Sequence, residues 1–173
     1  ISSWDYAHAV FARDMDNDGD LDIVSAEMHQ SNQDRVAVFL NDGNGLSWTP
    51  QILSTEASHN IQVGDIDSDG DLDIVGANWN GTAPDNAAVQ LWRNRLDGSV
   101  PTLPLDRWTK HTLSAELPYQ AVFIEGADID GDGWKDVVAG GSWWQNPGAL
   151  DGAWSEQSVG GNFKNMATVY DFD

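Results

Sequence analysis

"DMDNDGDLD", residues 14–22, places five aspartates in nine positions. Like charges at that spacing repel one another, and aspartate is a poor strand former, so the stretch has no value as plain strand or turn. A bound cation resolves the conflict. Oxygen ligands at alternate positions, with glycine at the sixth for a sharp turn, match the first half of a calcium loop of the EF-hand type. The pattern returns as "DIDSDGDLD" at 65–73 and "DIDGDGWKD" at 128–136, and begins again at Asp171.

In each copy, positions one, three, five and nine offer carboxylates and position seven offers its backbone carbonyl. The carboxylate sets are Asp14, Asp16, Asp18 and Asp22; Asp65, Asp67, Asp69 and Asp73; and Asp128, Asp130, Asp132 and Asp136. The carbonyls come from Asp20, Asp71 and Trp134, and the tryptophan is harmless because its side chain takes no part. All-oxygen ligation without His or Cys favours calcium over zinc or copper, and magnesium would keep more of its waters. About three Ca2+ sites are therefore expected. The bland alternative, a set of solvated Asp-rich turns, has to explain threefold recurrence at one internal spacing. A true EF-hand fails at position twelve, where a bidentate glutamate belongs and the chain has Ser25, Gly76 and Ala139.

Working outward, the similarity exceeds the aspartates. Each motif is followed by a small apolar run ("IVSA", "IVGA", "VVAG"), then an aromatic-x-Asn signature at 39–41, 92–94 and 144–146, then a closing "WTPQIL", "WTKHTL" or "WSEQSV". A short apolar segment precedes each motif. That predicts four short strands per unit, bounded by Gly, Asn, Asp and Pro, with the acidic loop between the first and second. No sustained helical periodicity competes with it. The motif starts are 51, 63 and 43 residues apart, a fixed unit with variable loops.

Four-stranded units of this length predict an all-β propeller segment of about three blades plus the start of a fourth. The expected boundaries are about 5–55, 56–115, 116–161 and 162–173. Closed propellers need about 4 to 8 blades, so the remaining blades would come from a parent chain or from oligomerisation. Ile1 at the start and "VYDFD" at the end point to an excerpt of a longer protein.

The "DxDxDGxxD" loops within such units resemble the FG-GAP and VCBS repeat families, which are related to the integrin α-subunit propeller. The resemblance spans essentially the whole chain. It implies a secreted or cell-surface protein in which calcium fixes the blade hairpins, serving in adhesion, in carbohydrate binding or as the scaffold of a polysaccharide lyase.

Composition narrows the partners. A net charge of −20 argues against direct binding to nucleic acid or to an anionic membrane, and no apolar run is long enough to span a bilayer. The absence of cysteine excludes disulfides and thiolate metal sites. The resemblance implies a glycan or a cell-surface protein as partner.

Ligand candidates lie at the opposite end from the acidic loops. His8 and His59 sit six residues before the first aspartate of their loops, where Asn165 precedes Asp171 and the third unit has Val122 or, with a two-residue insertion, Gln120. They either line a pocket or hydrogen-bond a neighbouring blade. The stretches 27–35 and 78–86 are longer than the repeat requires, which makes Glu27, His29 and Trp79, with Trp143, candidates for a sugar site. Trp48, Trp108 and Trp154 occupy one repeated position and Trp92 and Trp144 another, as packing residues do. His111 aligns with Gln51 and Gln157, a position expected to face solvent.

No nucleophile elbow, P-loop, HExxH or dinucleotide fingerprint is present. A non-catalytic binding or scaffold module is the leading expectation, and no catalytic residues are assigned. The alternatives are the propeller part of a polysaccharide-active enzyme, with catalysis in the missing blades or on the inserted loops and His29 with Glu27 or His8 with His59 as candidate pairs, and a self-assembling structural unit. "NGT" at 80–82 is a glycosylation sequon.

Overall fold

A computed structural model describes residues 4–56, 58–78, 88–96, 104–115, 123–149, 152–160 and 168–170. Among them, twelve strands form three four-stranded antiparallel sheets. The first holds β1 (Ala7–Arg13), β2 (Asp22–Glu27), β3 (Val36–Asn41) and β4 (Trp48–Ser54); the second β5 (Asn60–Gly64), β6 (Asp73–Ala77), β7 (Val89–Arg93) and β8 (Thr109–Ser114). The third holds β9 (Ile124–Ala127), β10 (Asp136–Ala139), β11 (Ser142–Gln145) and β12 (Ser155–Ser158). In every sheet the strands pair in chain order, so each is a meander.

Alternation along the strands explains how the sheets stack. Partners across a ladder share a face, as Val24 and Val38 do in the first sheet. Val24, Ala26, Val36 and Val38 of that sheet form one core with Ile61, Ile74 and Trp92 of the second. The second sheet turns Val75, Ala77, Val89 and Leu91 the other way, onto Ile124, Val137, Ala139 and Trp144 of the third. The middle sheet is thus covered on both faces, and every residue of β6 and β7 is buried. That is why "DIVGA" and "VQLWR" show no polar alternation: each fully buried aliphatic side chain contributes about 1.5–3 kcal/mol, and both faces collect it.

Gly76 allows a close approach in the first seam. A β-carbon there would lie 2.5 Å from Ser58 Oγ and 2.8 Å from the Trp92 ring, so the indole packs directly on backbone. The first strands of successive sheets lie side by side, β1 beside β5 and β5 beside β9.

Four of the five repeated tryptophans pack as expected, whereas Trp48 in the first sheet is half-buried and joins neither core. Trp92 and Trp144 are fully buried, and Trp108 and Trp154 flank the first and second seams. The expectation for the closing strands needs correction. Gln51 is buried and its Oε1 accepts a hydrogen bond from Trp108 Nε1 at 3.0 Å, and His111 is half-buried; only Gln157 is exposed. A neighbouring sheet supplies the cover, which strand alternation alone does not reveal.

Candidate functional site

The three acidic motifs are the hairpins between the first and second strands of each sheet, joining β1 to β2, β5 to β6 and β9 to β10. Position six requires glycine in each: Gly19, Gly70 and Gly133 have φ of 96°, 95° and 93°. Position four is also left-handed, with Asn17 at 60°, Ser68 at 57° and Gly131 at 76°. Asn and Gly tolerate that region best, and the serine is held there by the rest of the turn.

The ninth aspartate locks the hairpin to its sheet. Asp22 Oδ2 accepts the Met15 N–H and Oδ1 the Asn41 N–H, both at 2.8 Å. Asp73 does the same with Ile66 and Asn94, both at 2.9 Å. Asp136 accepts from Ile129 at 2.9 Å and Asn146 at 2.8 Å. All three are buried. Each carboxylate oxygen keeps a second lone pair, so the lock and a metal bond are compatible.

The first half of each loop is organised differently. Its carboxylates turn inward onto loop amides: Asp14 accepts from Asp18 and Gly19, Asp65 from Gly70, and Asp128 from Gly131, Asp132 and Gly133. Position five caps position seven, as Asp18 accepts the Asp20 N–H, Asp69 that of Asp71 and Asp132 that of Trp134. One carboxylate oxygen from each of Asp14, Asp16 and Asp18 lies within 4.8 Å of the others, and so do those of Asp65, Asp67 and Asp73 and of Asp128, Asp130 and Asp136. The side chain of Asp71 is engaged elsewhere, accepting from Leu96 N and from Asn17 Nδ2.

Among the described residues, Asp16 Oδ1 and Asp65 Oδ1 are buried without a hydrogen-bond partner, although a carboxylate oxygen can only accept. Burial, followed by the charges of Asp22 and Asp18, pushes Asp16 up to about 6. Burial pushes Asp73 up to about 7 against the pull of the Ile66 and Asn94 amides. Burial likewise raises Asp22, Asp69, Asp71 and Asp136. A divalent ion among these oxygens would reverse that pressure, and the donor set, all hard oxygen, fits calcium.

The asparagine of each aromatic-x-Asn signature ties neighbouring units together. Asn94 Nδ2 donates to the Met15 carbonyl in the first loop at 2.9 Å, and Asn146 Nδ2 to the Ile66 carbonyl in the second at 3.0 Å. Asn41, in the first sheet, turns instead to the Leu21 carbonyl of its own loop. Each acidic loop is therefore held by its own sheet and, where one follows, by the next.

Residues 14–76 match the FG-GAP-like repeat. The matched stretch runs from the first acidic loop through the second to β6, and so contains much of the first seam but not Trp92. Neither a curated protein nor a solved structure matches the chain.

At the other end of the same sheets, the structure brings His8 and His59 together. Their ring centroids are 4.4 Å apart, and His8 Nδ1 donates to the His59 carbonyl at 2.8 Å. His59 is buried; burial first, then the charges of His8 and His29, lower it to about 4. Glu27 is fully buried rather than displayed. Its carboxylate accepts the Asp5 and Arg35 amides, Ser31 Oγ, and Arg35 Nη2 at 2.5 Å. Burial opposes its ionisation, but the bonds from Arg35, Asp5 and Ser31 outweigh it and hold the carboxyl down at about 2.

Arg35 also covers the Trp4 ring at 4.4 Å, and with Trp4, Asp5, Ser31, Asn32 and Gln33 it lines a cavity of about 290 Å3. Neither Trp4 nor Arg35 carries a motif, so sequence reading passed over both. Trp143 is half-buried on β11. Trp79, Gln120, Val122, Asn165, Asp171 and the sequon at 80–82 lie outside the described residues.

Proposed function

We propose that the chain is a calcium-stabilised segment of a β-propeller, acting as a non-catalytic binding or scaffold domain of a secreted or cell-surface protein. The observation that carries this reading is the threefold acidic hairpin, in which one set of backbone bonds recurs while buried carboxylate oxygens of Asp16 and Asp65 have no protein donor. Calcium would be held by Asp14, Asp16 and Asp18, by Asp65, Asp67 and Asp73, and by Asp128, Asp130 and Asp136, with the other motif positions completing each shell. It supplies charge neutralisation and nothing catalytic.

The propeller reading is supported by the side-by-side first strands, the meander in each sheet and the match of residues 14–76 to the FG-GAP-like repeat. Blade boundaries near 55, 115 and 161 follow from it, with further blades from a parent chain or a second copy. FG-GAP repeats are typical of extracellular proteins, and among the described residues no helix is long and apolar enough to cross a membrane.

The partner is proposed to be a glycan or a cell-surface protein that meets the end carrying His8, His29 and His59. Thermal melting with millimolar calcium and with chelator tests the metal. A site saturated 100-fold above its Kd stabilises by about 2.7 kcal/mol, so the midpoint should fall by at least several degrees in EDTA; an unchanged midpoint contradicts the reading. A glycan array with His8, His59 and Trp79 variants tests the ligand: binding without turnover supports a module, whereas release of an unsaturated sugar supports the enzyme alternative.

A further inference from the structure

The three acidic loops share their backbone bonds but differ in what faces them from the third strand of the sheet. The middle residue of the aromatic-x-Asn signature is Leu40 in the first sheet, Arg93 in the second and Gln145 in the third. All three stand at equivalent register positions, opposite Thr49, Thr109 and Ser155 of the fourth strands.

Their chemistry toward the second aspartate of the loop, at motif position three, differs in kind. Arg93 Nε donates to Asp67 Oδ2, and its Nη2 lies 3.5 Å from Asp69 Oδ2. The arginine side chain is only 5% exposed and that of Asp67 10%, so the pair is shielded from water. Gln145 Nε2 donates to Asp130 Oδ2 at 2.5 Å, while its Oε1 accepts from Ser155 Oγ. Leu40 is buried in the first seam and has nothing to donate, and Asp16 Oδ1, at the matching place in the first loop, is a buried oxygen without a partner. The second loop therefore faces a positive charge from its own sheet.

We infer that Arg93 is a built-in cation of the second loop, and that the signature's middle residue grades the calcium affinity of the three loops, first tightest, third next and second weakest. The inference rests on the calcium reading of the loops. A guanidinium keeps its charge at every pH the fold survives and matches carboxylate geometry, so it holds two candidate ligands of the second loop in place. A divalent ion entering there must displace it or share Asp67 and Asp69 with it. In the third loop the competitor is a neutral amide, which gives up one hydrogen bond. In the first loop no described residue donates to Asp16 Oδ1, and that oxygen gains a partner from the ion.

Isothermal calorimetry of calcium binding to the purified protein, with melting curves in chelator, tests this. The wild type should show a weakest site at least about tenfold below the tightest, the scale of one nearby charge in a partly buried setting. Arg93→Leu should raise that site about tenfold and lower the melting temperature in chelator, where the loop has lost its only counter-charge from β7. Arg93→Gln should fall between. Gln145→Arg, the converse change at the half-buried equivalent position, should weaken the third loop by a similar factor, and it decides the matter if Arg93→Leu fails to fold. Three equal sites that neither substitution moves, or weaker binding in Arg93→Leu, overturns the role of Arg93 while leaving calcium binding intact. Absence of calcium binding in the wild type, with melting indifferent to chelator, overturns the calcium reading and this inference together.

Discussion

Where β1 turns into β2, β5 into β6 and β9 into β10, one set of contacts occurs three times: a buried ninth aspartate accepting two backbone amides, and first-half carboxylates folded onto loop amides. At the other end of the same sheets, the Glu27–Arg35–Trp4 group and the His8–His59 pair each occur once among the described residues. The repeated end is polar, acidic and dependent on the backbone; the singular end is held by side chains on one another. A repeat thus preserves whatever its backbone turn requires and leaves the opposite end free to differ from unit to unit.

The largest effect should come from the singular end. Glu27→Ala leaves Arg35 and two backbone amides without their acceptor, and breaking a buried pair costs about 3–5 kcal/mol in urea unfolding. The wild type should carry a matching pH signature. The carboxyl of Glu27 is lowered from 4.5 to about 2 in the fold, so its contribution is complete above pH 4.5 and is lost as pH falls toward 2. A wild-type minus Glu27→Ala difference that stays constant across that window would remove the charge from the explanation.

Next comes the repeated end. Asp73→Ala strands the buried amides of Ile66 and Asn94, and should cost about 2–4 kcal/mol by the same measurement. Equivalent substitutions at Asp22 and Asp136 should cost a similar amount, since each carries the same two bonds. A loss at one position only would break the equivalence on which the comparison rests.

Asn94→Ala removes the bond from the second sheet to the Met15 carbonyl and should cost about 1–2 kcal/mol. It should also weaken calcium binding by the first loop, because the bonded carbonyl lies within that loop. Unchanged calcium affinity would show that the cross-sheet bond holds the seam and not the turn.

The smallest effect is expected at His59. Its ring is lowered from 6.5 to about 4 in the fold, so the stability tied to its neutral form is complete above pH 6.5 and is lost as pH falls through 4. His59→Gln should flatten that part of the profile and leave stability at pH 8 nearly unchanged. A large loss at pH 8 would mean that the His8–His59 ring contact matters more than the titration.

How much of this was legible in advance follows the same division. Strand number, the place of the acidic hairpins and the packing role of Trp92 and Trp144 were written in the period, because a backbone turn demands the same residues each time it is made. The asparagine signature was visible as a pattern, but its bond to the preceding loop was not: a period shows that a residue recurs without showing which carbonyl it reaches. Arg93 was hidden inside that signature at a position that varies. Glu27 was noticed for lying in a long loop and read as a ligand candidate, but its partner Arg35 sits eight residues away in no motif, and only the folded chain closes the pair. Gln51 was read as facing solvent because strand alternation describes one sheet and says nothing of the sheet that covers it.

The central claim, that a divalent ion completes each hairpin while the ninth aspartate anchors it to the backbone, is tested most directly by a high-resolution crystallographic map from calcium-containing crystals. The account predicts an ion density bounded by Asp14, Asp16 and Asp18 in the first loop, by the corresponding carboxylates of the third, and weakest beside Arg93 in the second, with the amides of Met15 and Asn41 still bonded to Asp22. Ordinary water at all three places, with the carboxylates arranged as described above, would contradict it.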